Sequence, residues 1–230
     1  DSGSRRLLEL DGDSDRITEL AEEVAADHAL VVRGADALHD LREAAAARLS
    51  AAVTEELSAL AMPDAQLSVK VTKNDELALH GCDTVELLLR PHPGSDPRPI
   101  SKSASGGELS RIMLALEVVI AGQDSVPTYV FDEVDSGVGG ASAIEIGRRL
   151  ARLAEKSQVI VVTHLAQVAA FANNHLRVVK DTSGEVTESS VQTLRGADRE
   201  AEMARLLSGL PDSENALAHA RELIQLASSR

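Results

Sequence analysis

Two adjacent carboxylates, Asp132 and Glu133, close an apolar run in the segment TYVFDEVDSG, residues 128–137. The carboxyl end of a buried strand is where open α/β sheets bind ligands. One acid there can hold Mg²⁺, usually through water, while the other orients and deprotonates an attacking water. Adjacent strand residues point to opposite faces, so both acids serve one site only if the strand ends at them. VDSGVGG supplies that ending. The plainer alternative is a solvated turn after a strand. About 25 residues upstream, SASGGELSR places Ser105, Gly106, Gly107 and Glu108 in the capping-box pattern S-x-x-E. Capping alone does not ask for two glycines, which lower helix propensity in the first turn. They bare backbone N–H groups at the positive end of a helix, which offers an anion site; the plainer alternative is a well-capped helix and nothing more. About 30 residues downstream of the acids, His164 ends a second apolar run, QVIVVTH. If the two runs are parallel strands, His164 shares the sheet edge of Asp132 and Glu133; otherwise it is an ordinary structural hydrogen-bonder.

A nucleotide hydrolase with such an acid pair also needs a phosphate-cradling loop, G-x-x-x-x-G-K-[ST]. The sequence has none, since no glycine precedes Lys70, Lys73, Lys102, Lys156 or Lys180.

The elements that must position these residues can be read from periodicity. Residues 15–61 contain no proline and a single glycine, Gly34. Leu38, Leu41, Ala45, Leu49, Val53, Leu57 and Leu60 recur at steps of three or four, one stripe of a helix that MPDAQ stops. A long polar helix with one narrow stripe packs on a domain edge or pairs in a coiled coil. QLSVKVT, ELALHG and TVELLLR predict three strands, and PHPGSDPRPISKSA predicts a loop. SGGELSRIMLALEVVIAG predicts a helix from near Ser105 to near Gly122. PTYVFDE, SAIEIGRRLARLAEKS and QVIVVTH predict buried strand, helix and buried strand, a parallel βαβ unit. HLRVVKD and EVTESSVQTL predict a strand pair around the turn DTSGE. DREAEMARLLSG, ended at Gly209 with Pro211 behind it, and SENALAHARELIQLAS predict two closing helices.

Composition limits what such a chain can be. With 230 residues, 43% hydrophobic and 26% charged, it can pack a core as one large domain or one domain with an appendage. A formal net charge of -14 excludes a simple basic nucleic-acid-binding module, and 1% aromatic content leaves almost no base-stacking platform. Cys82 is the single cysteine, which rules out an internal disulfide and a cysteine metal cluster and suits a reducing cytosol. No apolar run has transmembrane length, and DSGSRRLLELDGDSDR lacks a signal-peptide core. The chain starts without Met and mid-pattern, which reads as a fragment.

The order of glycine-rich helix start, acid pair and strand-terminal histidine resembles the C-terminal lobe of ABC-type ATPase heads, with their signature motif, Walker B, D-loop and H-loop. ASGGELSRIMLALEVVI, VFDEVDSGVGG and VIVVTHLAQVAAFANNH are similar to the RecN family of bacterial DNA-repair proteins, which are SMC-like ABC ATPases. LSALAMPDAQLSV and ARLLSG fit as well, and the resemblance runs from about residue 38 to the C-terminus. It implies an α/β fold, the C-terminal lobe of an ABC/SMC-type ATPase head with a parallel sheet and flanking helices. Residues 1–61 would be the C-terminal end of a coiled-coil arm helix, and residues 62–230 the lobe. The missing Walker A would lie in an N-terminal lobe at the other end of a longer chain, beyond the arm.

By the same resemblance the cofactors are ATP and Mg²⁺. Asp132 is the metal ligand, Glu133 the catalytic base and His164 the switch histidine that senses the γ-phosphate. Ser105, Gly106, Gly107 and Glu108 contact nucleotide held by a second head, and Asp135 belongs to the D-loop at that interface. Arg111 either steadies the interface or makes a surface salt bridge. The implied function is ATP-driven head dimerisation and hydrolysis coupled to DNA holding in double-strand break repair and recombination. The implied partners are the N-terminal lobe, a second head in a homodimer, and DNA through the full-length protein, with no membrane. The implied setting is cytoplasmic and nucleoid-associated. The full-length protein would be an ATPase and this chain alone inactive. Ala104 stands where transporter signatures carry Leu, and VDSGVGG differs from the transporter-like SALD, which favours the repair branch. A transporter nucleotide-binding domain and a non-catalytic interaction lobe are the competing readings.

Overall fold

The computed structural model describes residues 2–121, 126–181 and 188–229. The chain opens with helix α1 (Ser2–Ala59), which starts upstream of the expected span because isolated glycines such as Gly12 cost a helix only about 1 kcal/mol each. It stops where Ala61 turns left-handed (φ 62°), Met62 N–H reaches back to Leu57 O at 3.1 Å, and Pro63 prevents continuation. Strands β1 (Gln66–Ala78), β2 (Gly81–Arg90) and β3 (Arg98–Pro99) form a three-stranded sheet in that order. Two compact units result, one of residues 1–48 and 69–87, the other of 49–68 and 88–230.

In the first unit, QLSVKVT and the start of ELALHG form one strand instead of two; the turn comes later, at Leu79 and His80. Leu67, Val69 and Val71 still alternate inward against exposed neighbours as expected. Gly81 (φ 93°) sits so near α1 that a Cβ there would lie 3.0 Å from Leu38 Cδ2. The buried face of α1 here is not the predicted Leu38–Leu41–Ala45 row. Leu41 and Ala45 are exposed, while Ala35 and Ala46 are buried. His39 and Arg42 lie on that face because Asp83 satisfies them. Its side chain is fully buried, with one oxygen 2.7 Å from His39 Nδ1 and the other accepting from Arg42 Nη1 at 2.9 Å. Arg42, then His39, hold the Asp83 carboxyl below its ordinary value against the effect of burial. Cys82 is buried beside it.

In the second unit, the lower stripe of α1 behaves as predicted, with Val53, Leu57 and Leu60 fully buried. The proline-rich loop carries β3 and a single-turn helix, α2 (Ile100–Ser103). Helix α3 (Gly106–Ile120) follows; its expected end at Gly122 lies outside the described residues. Strand β4 (Thr128–Phe131), helix α4 (Gly140–Leu153) and strand β5 (Gln158–Val161) form the expected parallel βαβ unit, with Val130 opposite Ile160 and Phe131 opposite Val161. The two strands are not buried as expected. Val130, Ile160 and Val162 are 68%, 47% and 58% exposed, so one apolar face of the pair is open to solvent. A short α5 (Ala166–Ala169) leads to the antiparallel pair β6 (His175–Asp181) and β7 (Glu188–Leu194). The predicted turn DTSGE falls mostly outside the described residues. Helices α6 (Gly196–Ser208) and α7 (Glu214–Ser228) close the chain, α6 ending on left-handed Gly209 as predicted. Phe171, Met203, Ala220 and Leu223 pack together beneath α4, α6 and α7. Arg149 of α4 joins Glu145 at 2.6 Å and Glu56 of α1 at 2.5 Å.

Candidate active site

The apolar run of α3 buries Ile112, Leu114, Ala115 and Val118, which fixes the direction of its exposed N-terminus. Ser105 is the N-cap and the capping box is complete. The Ser105 hydroxyl accepts from Glu108 N–H at 3.4 Å, and the Glu108 carboxylate accepts from Ser105 N–H at 2.8 Å. That backbone bond, followed by the Ser105 hydroxyl and the Arg111 charge, holds the Glu108 carboxyl below its ordinary value despite partial burial. Both pairing groups of Glu108 are thus engaged at the helix start, as the capping reading expects.

The two glycines serve close approach to the turn that follows β4. A Cβ on Gly106 would stand 2.7 Å from Glu133 Oε2. One on Gly107 would stand 2.9 Å from Ser136 Cβ and 3.0 Å from Glu133 O. Two more α3 side chains grip the same turn. Ser110 donates to Asp132 O at 2.8 Å, and Arg111 donates to Ser136 O at 3.0 Å and Val134 O at 3.5 Å. Arg111 is 6% exposed, so it makes no surface salt bridge. Burial lowers the guanidinium's proton affinity, and the Glu108 charge partly offsets this. The turn is tight: Ser136 N–H bonds to Glu133 O and Val138 N–H to Asp135 O. Glu133 is left-handed (φ 57°), an uncommon state for a side-chain-bearing residue that persists only where its surroundings enforce it. Gly137 (φ 71°) and Gly140 (φ 56°) carry the chain on into α4.

The sheet edge brings the rest together. Asp132 and Glu133 are exposed just past the end of β4, and Glu133 N–H donates to Asp132 Oδ1 at 2.9 Å. The parallel register sets His164 at the same edge, its side chain 72% exposed. Asp135, the expected D-loop residue, lies in the turn after β4. It is 2% exposed and turned inward, accepting from the Thr163 hydroxyl and from His164 N–H at 3.2 Å, with His164 Nδ1 3.4 Å away. The expected residues therefore fall into one neighbourhood: Ser105 to Glu108 at a helix start, Glu133 against that start, Asp132 beside it, and His164 across the strand pair. Arg111, named from the sequence, joins them as a buried group on the helical row of Gly107, Ala115 and Val118. Ser110 and Thr163 are additional members.

Among the described residues no group of three or more His, Cys, Asp or Glu could hold a metal ion. A single exposed carboxylate such as Asp132 suits Mg²⁺, which keeps several waters and takes substrate phosphates as ligands. No described helix is long and apolar enough to cross a membrane.

Residues 15–187 match the model of the RecF/RecN/SMC N terminal domain family. The chain is 56% identical to the DNA repair protein RecN of Streptomyces coelicolor over 84% of its own length and 36% of that protein. It is 45% identical to the RecN of Mycobacterium tuberculosis H37Rv over 99% of its length and 42% of that protein. The chain thus spans about two fifths of the curated relatives it matches. A solved structure of an Smc head domain with a coiled coil and joint from Pyrococcus yayanosii superimposes with a TM-score of 0.53 at 22% identity, covering 74% of this chain and 30% of that one. That likeness shows the fold: an SMC-type head with mixed helices and parallel sheet.

Proposed function

Because the chain belongs to the RecF/RecN/SMC N terminal domain family, we propose that it is the C-terminal lobe of a split ATPase head in an SMC-like DNA-repair protein. The observation that supports this most is the convergence of a glycine-bared helix start and a left-handed Glu133 at one sheet edge. In this reading residues 1–61 end a returning coiled-coil arm and residues 62–230 form the lobe, with the last turns of α1 packed into it. Ile17, Leu20, Val24 and Val31 are exposed at coiled-coil spacing, which suits a partner helix. The open apolar face at Val130, Ile160 and Val162 suits cover by the lobe that carries the phosphate loop.

The proposed chemistry gives each of these residues the role that the family resemblance implies. Glu133 accepts a proton from the water that attacks the γ-phosphate of ATP. His164, exposed at the same edge, contacts that phosphate and reports its presence. Mg²⁺, with Asp132 as its protein contact from this lobe, supplies charge neutralisation on the phosphates when bound. Ser105 and the N–H groups of Gly106 and Gly107 offer donors at the positive end of α3 to the γ-phosphate of nucleotide held by a second head. ATP then joins two heads, hydrolysis releases them, and the cycle changes how the arms hold DNA near a double-strand break. A net charge of -14 on this chain supports a reading in which most DNA affinity lies elsewhere in the full-length protein. The setting of such a repair protein is the cytoplasm, at the nucleoid.

Two variants of the full-length protein test this reading. Glu133→Gln keeps ATP binding and ATP-driven dimerisation and stops turnover; normal turnover in it would remove Glu133 as the base. Ser105→Arg blocks dimerisation by bulk and charge; unchanged ATP-driven dimerisation would remove the cross-head role.

A further inference from the structure

We infer that Asp135 is a positioning residue for His164, fixing which ring nitrogen carries the proton and holding the other toward solvent. The inference rests on the role proposed above for His164, and it assigns to Asp135 a task within its own head. Asp135 is 2% exposed, so its carboxylate is withdrawn from water and must be compensated. Among the described residues, His164 is the basic group within ion-pair distance of it, at 3.4 Å. Its other partners are the Thr163 hydroxyl and the His164 backbone N–H. These two donors tie the end of β4 to the end of β5, and a neutral amide could accept from both. The tie does not account for a negative charge facing Nδ1. A carboxylate there favours the ring form with Nδ1–H and leaves Nε2 outward, at the edge shared with Glu133.

The surroundings hold this arrangement in place. Arg111 grips the carbonyls on both sides of Asp135, at Val134 and Ser136. Thr163 is itself fixed, since its Oγ1 accepts from Leu165 N–H at 3.0 Å. The His164 side chain is otherwise 72% exposed, so the Asp135 contact selects its orientation from those open to a surface ring. The charged groups at this end of the sheet are Asp132, Glu133 and Asp135 from the turn, and Glu108 and Arg111 from α3. Asp135 is the one paired with the ring.

The test uses the full-length protein labelled with ¹⁵N-histidine, with the His164 ring signals assigned by their loss in His164→Gln. Neutral His164 in the wild type should be the Nδ1–H tautomer. Asp135→Asn keeps shape and one acceptor, and should shift the neutral His164 ring toward the Nε2–H tautomer. The same variant should lower kcat for ATP about tenfold or more while changing ATP affinity less than about threefold. Thr163→Val removes the tie but not the charge, and should leave the Nδ1–H tautomer dominant. An Nε2–H tautomer in the wild type, which needs no variant to fold, overturns the inference. So does an unmoved tautomer ratio in Asp135→Asn, or a moved ratio with unchanged kcat. If the wild type hydrolyses no ATP, the function proposed above fails, while the tautomer ratios still decide whether Asp135 governs His164.

Discussion

Three glycine-to-alanine changes should give three different results, and the differences follow from what each new Cβ would meet. At Gly34 nothing lies within 4 Å and the position is exposed inside α1. The change should stabilise by roughly 0.5–1 kcal/mol through helix propensity alone. At Gly107 the Cβ would stand 2.9 Å from Ser136 Cβ and 3.0 Å from the backbone oxygen of Glu133. Carbon contacts are optimal at about 3.5–4.0 Å, so the overlap is about 0.5–1 Å against groups that the turn and Arg111 hold in place. Overpacking of that kind costs about 1–3 kcal/mol. Less the helix gain, the net loss is about 1–2 kcal/mol, a fall in Tm of about 2–8 °C for a chain of this size. At Gly106 the Cβ would meet only Glu133 Oε2, at 2.7 Å. That atom ends a flexible side chain and can swing away, so stability should hardly change. The carboxylate would leave its place, however, and ATP turnover in the full-length protein should fall about tenfold or more, equivalent to about 1.4 kcal/mol. Thermal unfolding and steady-state turnover on the same three variants check all of this. A Gly107→Ala protein as stable as Gly34→Ala would refute the packing of α3 on the turn, and a fully active Gly106→Ala would refute the placing of Glu133.

Other outcomes follow from the same structure. Arg111→Met leaves the Val134 and Ser136 carbonyls without their donor, and should destabilise by about 1–3 kcal/mol and reduce turnover; chemical denaturation beside a kinetic assay reads both. Gly147→Ala drives a Cβ into the Phe171 ring and should destabilise by about 1–3 kcal/mol, which Phe171→Leu should partly relieve in the double variant. Glu202 is held below the ordinary glutamate value of 4.5, first by its hydrogen bond to Arg205, against burial, with the charges of Arg205, Arg177 and His175 adding to it. A lowered value means that the unfolded chain binds the proton more readily, so the stabilisation is complete above 4.5 and lost as pH falls through the folded value. Arg205 is partly exposed, which limits the effect to about 1 kcal/mol. The stability gap between wild type and Glu202→Gln, measured by denaturation from pH 7 to pH 3, should therefore close at the acid end.

The elements that periodicity and capping determine locally were legible in the residues. The Ser105 box, the Gly209 stop, and the parallel pairing that sets His164 beside the acid pair all follow from short-range pattern. Burial was less legible, because it depends on what packs across the chain. PTYVFDE and QVIVVTH read as buried strands, yet Val130, Ile160 and Val162 meet solvent. The upper stripe of α1 misled because His39 and Arg42 face inward once Asp83 pairs with them, and no local pattern announces a partner more than 40 residues away. The direction of the Asp135 side chain was not legible, because sequence spacing does not give it in a tight turn. Its inward position depends on Thr163, just past the end of β5. Arg111 read as an interface or surface group, yet a charge on the buried row of an otherwise apolar helix demands partners, here the Val134 and Ser136 carbonyls.

The proposed half of an ATPase head is tested most directly by ATP turnover of the chain alone and then mixed with the N-terminal lobe that carries the phosphate loop. No turnover is expected for the chain alone, and turnover in the mixture that Glu133→Gln abolishes. Folded, associated lobes that hydrolyse no ATP would contradict the split head.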